Sequence, residues 1–404
     1  MRHLTHKAAG CVILCAALLF FTICPAFAAN TTTDALAQEI AAVFDARKQH
    51  SGNVTTLLDS KDFLSKSADG AVAQSSTFTD WIALAMGRFS VLNSAGKPAF
   101  LYADAQAAYR DGLARYVTQQ YAENGGMLSK SKVTEAQRLT LTAAALGADV
   151  TRFGTYGGKA VDLIADSSYN CPLDITRQGM MGVIFALIAK NACDAKTPQT
   201  VKYSDEFLYT YLLERELPKG GWTLMGTIPD PDVTAMVLCA LALHREDATV
   251  YTVKREADAA PVKTTLGAAV ERGLGVLSRM QRPDGSFSSG GTVNCESAAQ
   301  VLTALCMCGI DPETDTRFLK NGSSVLDALH TFRLSDGGFA HTLTNGKAKA
   351  YNVMATDQAA YALVALWRLK SGLRGLYDMR PDLQQPLTVL LRQLLRVLVR
   401  AFSF

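Results

Sequence analysis

Charge of one sign is what this sequence has little of. Its 404 residues carry 40 Lys and Arg against 37 Asp and Glu. The imbalance sits at the two ends: residues 1–28 hold Arg2, Lys7 and no acid, and residues 387–404 hold Arg392, Arg396, Arg400 and no acid. A near-neutral body lacks the basic footprint of a nucleic-acid-binding protein. Histidine is scarce, with six in the chain. No Gly-Lys-Ser or Gly-Lys-Thr phosphate loop occurs, which excludes a P-loop nucleotide site. No Gly-x-Ser-x-Gly elbow occurs either, although spacing leaves a Ser-His-Asp arrangement open. No stretch alternates apolar and polar residues as half-buried strands do, so the body reads as all-α.

What is present is repetition. Six times a turn leads into a long apolar helical stretch that opens on an acid or amide: Asp80, Glu135, Gln178, Asp232, Glu296 and Asp357. These openings stand 55, 43, 54, 64 and 61 residues apart, a period that marks one helical unit used repeatedly. The stretches they open are apolar nearly all round, as buried helices are. Between them lie mixed segments that suit an outer, wetter layer: 30–48, 105–121, 158–165, 204–216, 266–280 and 324–332. Gly125-Gly126-Met127-Leu128, Gly220-Gly221-Trp222, Asp284-Gly285-Ser286-Phe287 and Asp336-Gly337-Gly338-Phe339 join the layers. There glycine ends the outer helix in the left-handed conformation. An acid at each inner-helix start is expected to satisfy free backbone N–H groups there. Each unit can bury its apolar face only against its neighbours, so the economical arrangement is a closed ring of two helical layers.

The ends read differently. Arg2 and Lys7, the apolar run Cys11–Ile23 and Ala26-Phe27-Ala28 form a secretory signal peptide over 1–28. Residues 29–380 are the helical body and 381–404 a hinge with a basic amphipathic helix. In that helix Arg392, Arg396 and Arg400 line one face at i, i+4 and i+8. A membrane interface suits it, and docking on the body is the alternative. Six cysteines follow the signal segment: Cys171, Cys193, Cys239, Cys295, Cys306 and Cys308. They read as small buried hydrophobes, with a Cys239–Cys306 pair left open.

The turn Gln281-Arg282-Pro283-Asp284-Gly285-Ser286-Phe287 resembles the repeat motif of squalene and terpene cyclases and of prenyltransferase β subunits. Leu217-Pro218-Lys219-Gly220-Gly221-Trp222 and Ser335-Asp336-Gly337-Gly338-Phe339 look like degenerate copies. The resemblance implies a single α/α toroid of six helix pairs, similar to exported bacterial single-toroid proteins of this prenyltransferase and squalene-oxidase repeat family. It extends more distantly to the toroids of intrinsic factor, transcobalamin and complement thioester domains. The motif copies cover roughly residues 204–370, and the earlier half matches only in rhythm.

Within that resemblance Pro229-Asp230-Pro231-Asp232-Val233-Thr234-Ala235 is similar to the cyclase acid motif, which puts Asp232 on the residue that protonates an alkene. Val233 stands where the motif has a second carboxylate. The plainer role of Asp232 is a helix cap, as for Glu296 and Asp357. A prenyltransferase zinc site would draw on Asn294, Cys295, Glu296, Asp357 and Gln358, a set with no imidazole, so no metal or cofactor is expected. The thioester run Cys-Gly-x-x-Gln is absent. The leading expectation is an exported module, secreted or held on the outer face of the cell membrane, that binds an apolar or amphipathic small molecule or a surface partner. Its funnel would be ringed by Asp80, Trp81, Glu135, Gln178, Trp222, Asp230, Asp232, Glu296, Asp357 and Gln358. A cyclase-like isomerase or lyase using Asp232, and a scaffold without a ligand, are the alternatives.

Overall fold

Six helices with few polar residues line up side by side because only neighbours of the same kind can cover them. In the computed structural model, which describes residues 31–50, 79–92, 98–256 and 258–382, these are α2 (Asp80–Arg88), α4 (Thr134–Ala145), α6 (Met180–Ala192), α8 (Pro231–Leu241), α10 (Cys295–Met307) and α12 (Val353–Lys370). Each packs on the next, α2 on α4 through to α10 on α12, and α12 packs back on α2. The ring is therefore closed. Six further helices lie outside it: α1 (Thr33–His50), α3 (Ala103–Asn124), α5 (Leu163–Ser167), α7 (Asp205–Leu213), α9 (Leu266–Met280) and α11 (Val325–His330). They pack on the ring in order, with α1 against α12 and α11 against α10. This is an α/α toroid of six helix pairs. All these elements belong to the unit Thr32–Phe404.

Helix α9 shows why the outer layer forms where it does. Leu266, Ala269, Val270, Gly273, Leu274 and Leu277 recur at helical spacing and are buried, while the other face meets solvent. Thr265 caps it by accepting from the Ala268 N–H, and Gln281 follows it in extended backbone. The Gln281 amide then donates to the Gly285 and Phe318 carbonyls at 3.2 and 3.0 Å, tying the turn to the next repeat. Gly285 has φ +81°, and a Cβ there would lie 2.2 Å from the Ser324 carbonyl oxygen, so the turn approaches α11 too closely for any other residue. A second device recurs across repeats. The Thr234 hydroxyl accepts from the Trp222 N–H and the Thr356 hydroxyl from the Phe339 N–H, each at 3.0 Å. Thus the aromatic after each of these glycine turns is pinned to the inner helix that follows.

Three sequence expectations need correction. First, the outer segment at 158–165 is only partly helical: it opens in a hairpin, β1 (Thr155–Tyr156) with β2 (Lys159–Ala160), turning on Gly157 and Gly158 at positive φ. Only Leu163–Ser167 is helical. Four other two-stranded hairpins occur among the described residues, none longer than three residues a strand. Secondly, the acids at the inner-helix openings are not the caps. Asp230, Asn294 and Asn352, just outside their helices, accept the free N–H groups of α8, α10 and α12. Thirdly, Asp357 is not at the same point as Asp232 and Glu296: they hold the second helical position and it holds the fifth, one turn deeper. The six later cysteines are free thiols, with Cys239 and Cys306 unpaired. The expected signal peptide and the 387–404 helix lie outside the described residues. Asp382, in the expected hinge, is tied back to the body by the Arg368 guanidinium at 2.6 Å.

The carboxyl end of the ring is closed by the chain that follows α12. The Met379 N–H donates to the Ala192 carbonyl at the end of α6, and the Tyr377 N–H to Met307 Sδ at the end of α10. Buried Arg88, at the end of α2, donates to the carbonyls of Gly375, Leu376 and Asp378. Residues 372–382 thus cross the axis and seat Tyr377 in it.

Candidate functional site

A cavity of about 300 Å³ lies inside the ring, above this plug. Its walls follow from helix geometry. Counting from each cap, the sixth helical residue of four inner helices faces the axis: Phe185, Met236, Gln300 and Gln358. The ninth does so in three of them: Ile188, Cys239 and Tyr361. A spacing of three residues keeps both layers on one helix face. Trp81, Thr134, Arg138, Gln178 and Met181 complete the upper wall and Tyr377 the floor. Exposure falls along this path. Trp81, Thr134, Gln178 and Met181 are partly exposed, whereas Ile188, Cys239, Tyr361 and Tyr377 are buried. The cavity is deepest toward the carboxyl ends of the inner helices.

The lining is largely apolar, with four aromatic rings and one charged side chain, Arg138. The Trp81 ring stands 5.9 Å, centroid to centroid, from both Phe185 and Tyr361, which is within stacking range. Three carboxamides share the wall with them. Gln178 Oε1 accepts from the Thr134 N–H at 3.1 Å and the Thr134 hydroxyl at 3.2 Å. Gln300 donates to Gln358 Oε1 at 3.1 Å and also to the Tyr361 hydroxyl. Arg138 is the charged side chain in the lining, and its Nε donates to Asp80 Oδ2 at 2.7 Å. No carboxylate among the described residues lines the cavity. Burial pushes the Cys239 thiol and the Tyr361 and Tyr377 phenols well above their usual values, so all three stay protonated and uncharged.

Of the residues singled out from sequence, Trp81, Gln178 and Gln358 line this cavity. The rest lie elsewhere. Asp80 is fully buried behind the wall, held by Arg138 and the Tyr109 hydroxyl. Asp357 is buried against Arg47 at 2.7 Å. Burial pushes its carboxyl up to about 7, against the pull of that guanidinium. Trp222 is wholly in the core, its indole N–H donating to the Leu212 carbonyl at 2.8 Å. Asp230 caps α8 and also accepts from the Ser289 hydroxyl. Glu135 sits at the partly exposed start of α4, 4.0 Å from Lys132 Nζ. Glu296 meets His341 Nδ1 at 2.8 Å.

Asp232 does not cap its helix and does not line the cavity; Met236, one turn further along α8, does. Its Oδ1 is buried without a hydrogen-bond partner. Burial pushes its carboxyl up to about 6; the Ser297 hydroxyl opposes this, and the nearby carboxylates of Asp230 and Glu296 add to it. Of the lining residues that sequence reasoning missed, Arg138, Met181, Phe185, Met236, Cys239, Gln300 and Tyr361 lie three to seven residues inward of a named opening, and following the helical period finds them; Thr134, Ile188 and Tyr377 do not.

No group of three His, Cys, Asp or Glu side chains among the described residues is placed to hold a metal ion. No described helix is long and apolar enough to cross a membrane.

No protein-family model matches the chain, and no curated protein does. Among solved structures, the chain is similar to the apo form of the type II terpene cyclase MstE from Scytonema, with a TM-score of 0.46 and 14% identity, over 84% of this chain and 100% of that one.

Proposed function

We propose that the toroid is an extracytoplasmic binding module that takes a small, largely apolar molecule into the ring from the amino-terminal ends of the inner helices. One observation carries this reading: a cavity of about 300 Å³ with tilted, neighbouring aromatic rings on its wall, carboxamides around it and Tyr377 at its floor. That volume stands at the lower end of the roughly 300–1,000 Å³ of ligand pockets. A scaffold with no ligand has no use for such a space. Export rests on the sequence of residues 1–28. The test is native mass spectrometry of the full-length exported protein, with Trp81 fluorescence as the readout for added ligand. Recovery of a stoichiometric apolar adduct supports the reading. An empty chain, with Trp81 emission unmoved by any apolar probe, overturns it.

A second reading has one observation in its favour. Asp232 is a buried carboxyl that caps nothing and is held up to about 6, as a proton donor to an alkene would be. In that chemistry the acid O–H proton adds to an alkene carbon, forming a C–H bond and a carbocation and leaving the carboxylate. Incubation with linear polyprenes in deuterated water tests it. Deuterium in a cyclised product that disappears in Asp232→Asn would favour catalysis; recovered, unlabelled polyprene would leave binding alone.

A further inference from the structure

The geometry points to a ligand whose polar end is an uncharged hydrogen-bond acceptor, such as the carbonyl of a ketone, ester or lactone. This rests on the binding reading above and goes beyond it by naming the ligand's chemistry. A backbone N–H can be satisfied only by an acceptor, so the Thr134 N–H fixes the Gln178 amide with its oxygen turned toward α4. The Gln178 NH₂ group is then left without a protein acceptor among the described residues. Gln358 pairs amide to amide with Gln300 at 3.1 Å, and Gln300 also meets the Tyr361 hydroxyl; either amide can be the donor, so this pair presents one NH₂ group and one oxygen to the cavity. Gln178 and Gln358 line the cavity, just before α6 and on α12.

The wall therefore offers the Gln178 NH₂ as an amide donor of fixed direction, its own oxygen being engaged by Thr134. A donor-only head such as an ammonium finds no carboxylate in this lining. Nor does an anionic head find a free counter-charge, because Asp80 already neutralises Arg138. A carbonyl oxygen satisfies an amide donor without bringing a charge into a partly dry space.

A matched set of cage compounds provides the test: camphor, its parent hydrocarbon bornane, and the monocarboxylate bornane-2-carboxylate. Binding to the full-length protein is read by Trp81 fluorescence and by calorimetry. Camphor should bind roughly tenfold more tightly than bornane, and bornane-2-carboxylate more weakly than camphor. Gln178→Glu removes that donor while keeping an oxygen for the Thr134 N–H. It should cut the camphor preference roughly threefold to tenfold, and retained bornane binding shows that its cavity is intact. Equal binding of camphor and bornane, or a preference that survives Gln178→Glu, overturns the inference and leaves the binding module standing. Binding of none of the three overturns both.

Discussion

Arg47 and Asp357 stand 310 residues apart in the chain and meet across the closure of the ring, guanidinium Nε to carboxylate Oδ1 at 2.7 Å, both buried. The pair joins the first outer helix to the last inner one. Removing one partner of a buried ion pair strands the other, which costs roughly 3–5 kcal/mol. Arg47→Met should therefore lower the unfolding free energy by about 3 kcal/mol at pH 8. The sign with pH is definite. Without the guanidinium the Asp357 carboxyl rises further above about 7, so below that value it is protonated and the penalty shrinks. Urea unfolding of the variant at pH 5 and pH 8 reads the difference. An equal loss at both values would mean that the carboxylate is solvated once Arg47 is gone.

The glycine turns allow a controlled comparison. Gly285 and Gly290 both have positive φ, +81° and +57°. A Cβ at Gly285 collides with the Ser324 carbonyl, whereas one at Gly290 meets nothing within 4 Å. Gly290→Ala should cost only the left-handed penalty of about 1 kcal/mol. Gly285→Ala must also push α11 away and should cost roughly 3 kcal/mol or more. Denaturant midpoints of the two variants decide the matter, and equal values would show that the Gln281–Phe287 turn has slack.

How much of the fold is legible in the sequence follows from where each residue's partners lie in the chain. The inner helices declare themselves because a helix apolar on every side has few environments open to it, and five of the six openings fall in or next to the first turn of the helix they announce. Helix α9 is readable to its last residue because its apolar face is periodic and its end is marked by Gln281. The segment at 158–165 passes for helix on composition, although Gly157-Gly158 between short flanks is the turn signal of the hairpin Thr155–Ala160. The site is less legible. Asp80, Asp357 and Trp222 look like rim residues until their partners Arg138, Arg47 and the Leu212 carbonyl are known, and two of these three lie more than fifty residues away. The plug has no local signal at all, since what fixes residues 372–382 is Arg88 and Arg368, basic side chains that in sequence merely end two helices.

Tyr377 makes the plug testable. Its ring closes the floor of the cavity and is 5% exposed. Tyr377→Ala should cost roughly 3–5 kcal/mol, the usual range for truncating a buried aromatic. Tyr377→Phe should stay within about 1 kcal/mol of the native chain, because the ring and not the hydroxyl fills the space. Thermal melts of both variants check this. A mild Tyr377→Ala would mean that the segment holds through its Arg88 and Ala192 hydrogen bonds alone.

Asp232 supplies the last expectation, and it separates a perturbed carboxyl from an ordinary one. In the folded chain the group keeps its proton up to about pH 6, whereas in the unfolded chain it loses it near pH ~4. Between those values the folded state binds more protons, so this residue's contribution to stability falls as pH rises. Holding the proton across that interval corresponds to at most about 3 kcal/mol. Asp232→Asn removes the titration and keeps the shape. The variant should therefore gain stability relative to the native chain as pH rises from about 4 to about 7, by about 2 kcal/mol, in paired urea titrations. Other carboxyls cancel in that difference. A gap of constant size across the range would mean that Asp232 titrates in the folded chain as it does in the unfolded one, and the proton-donor reading would lose the observation that favours it.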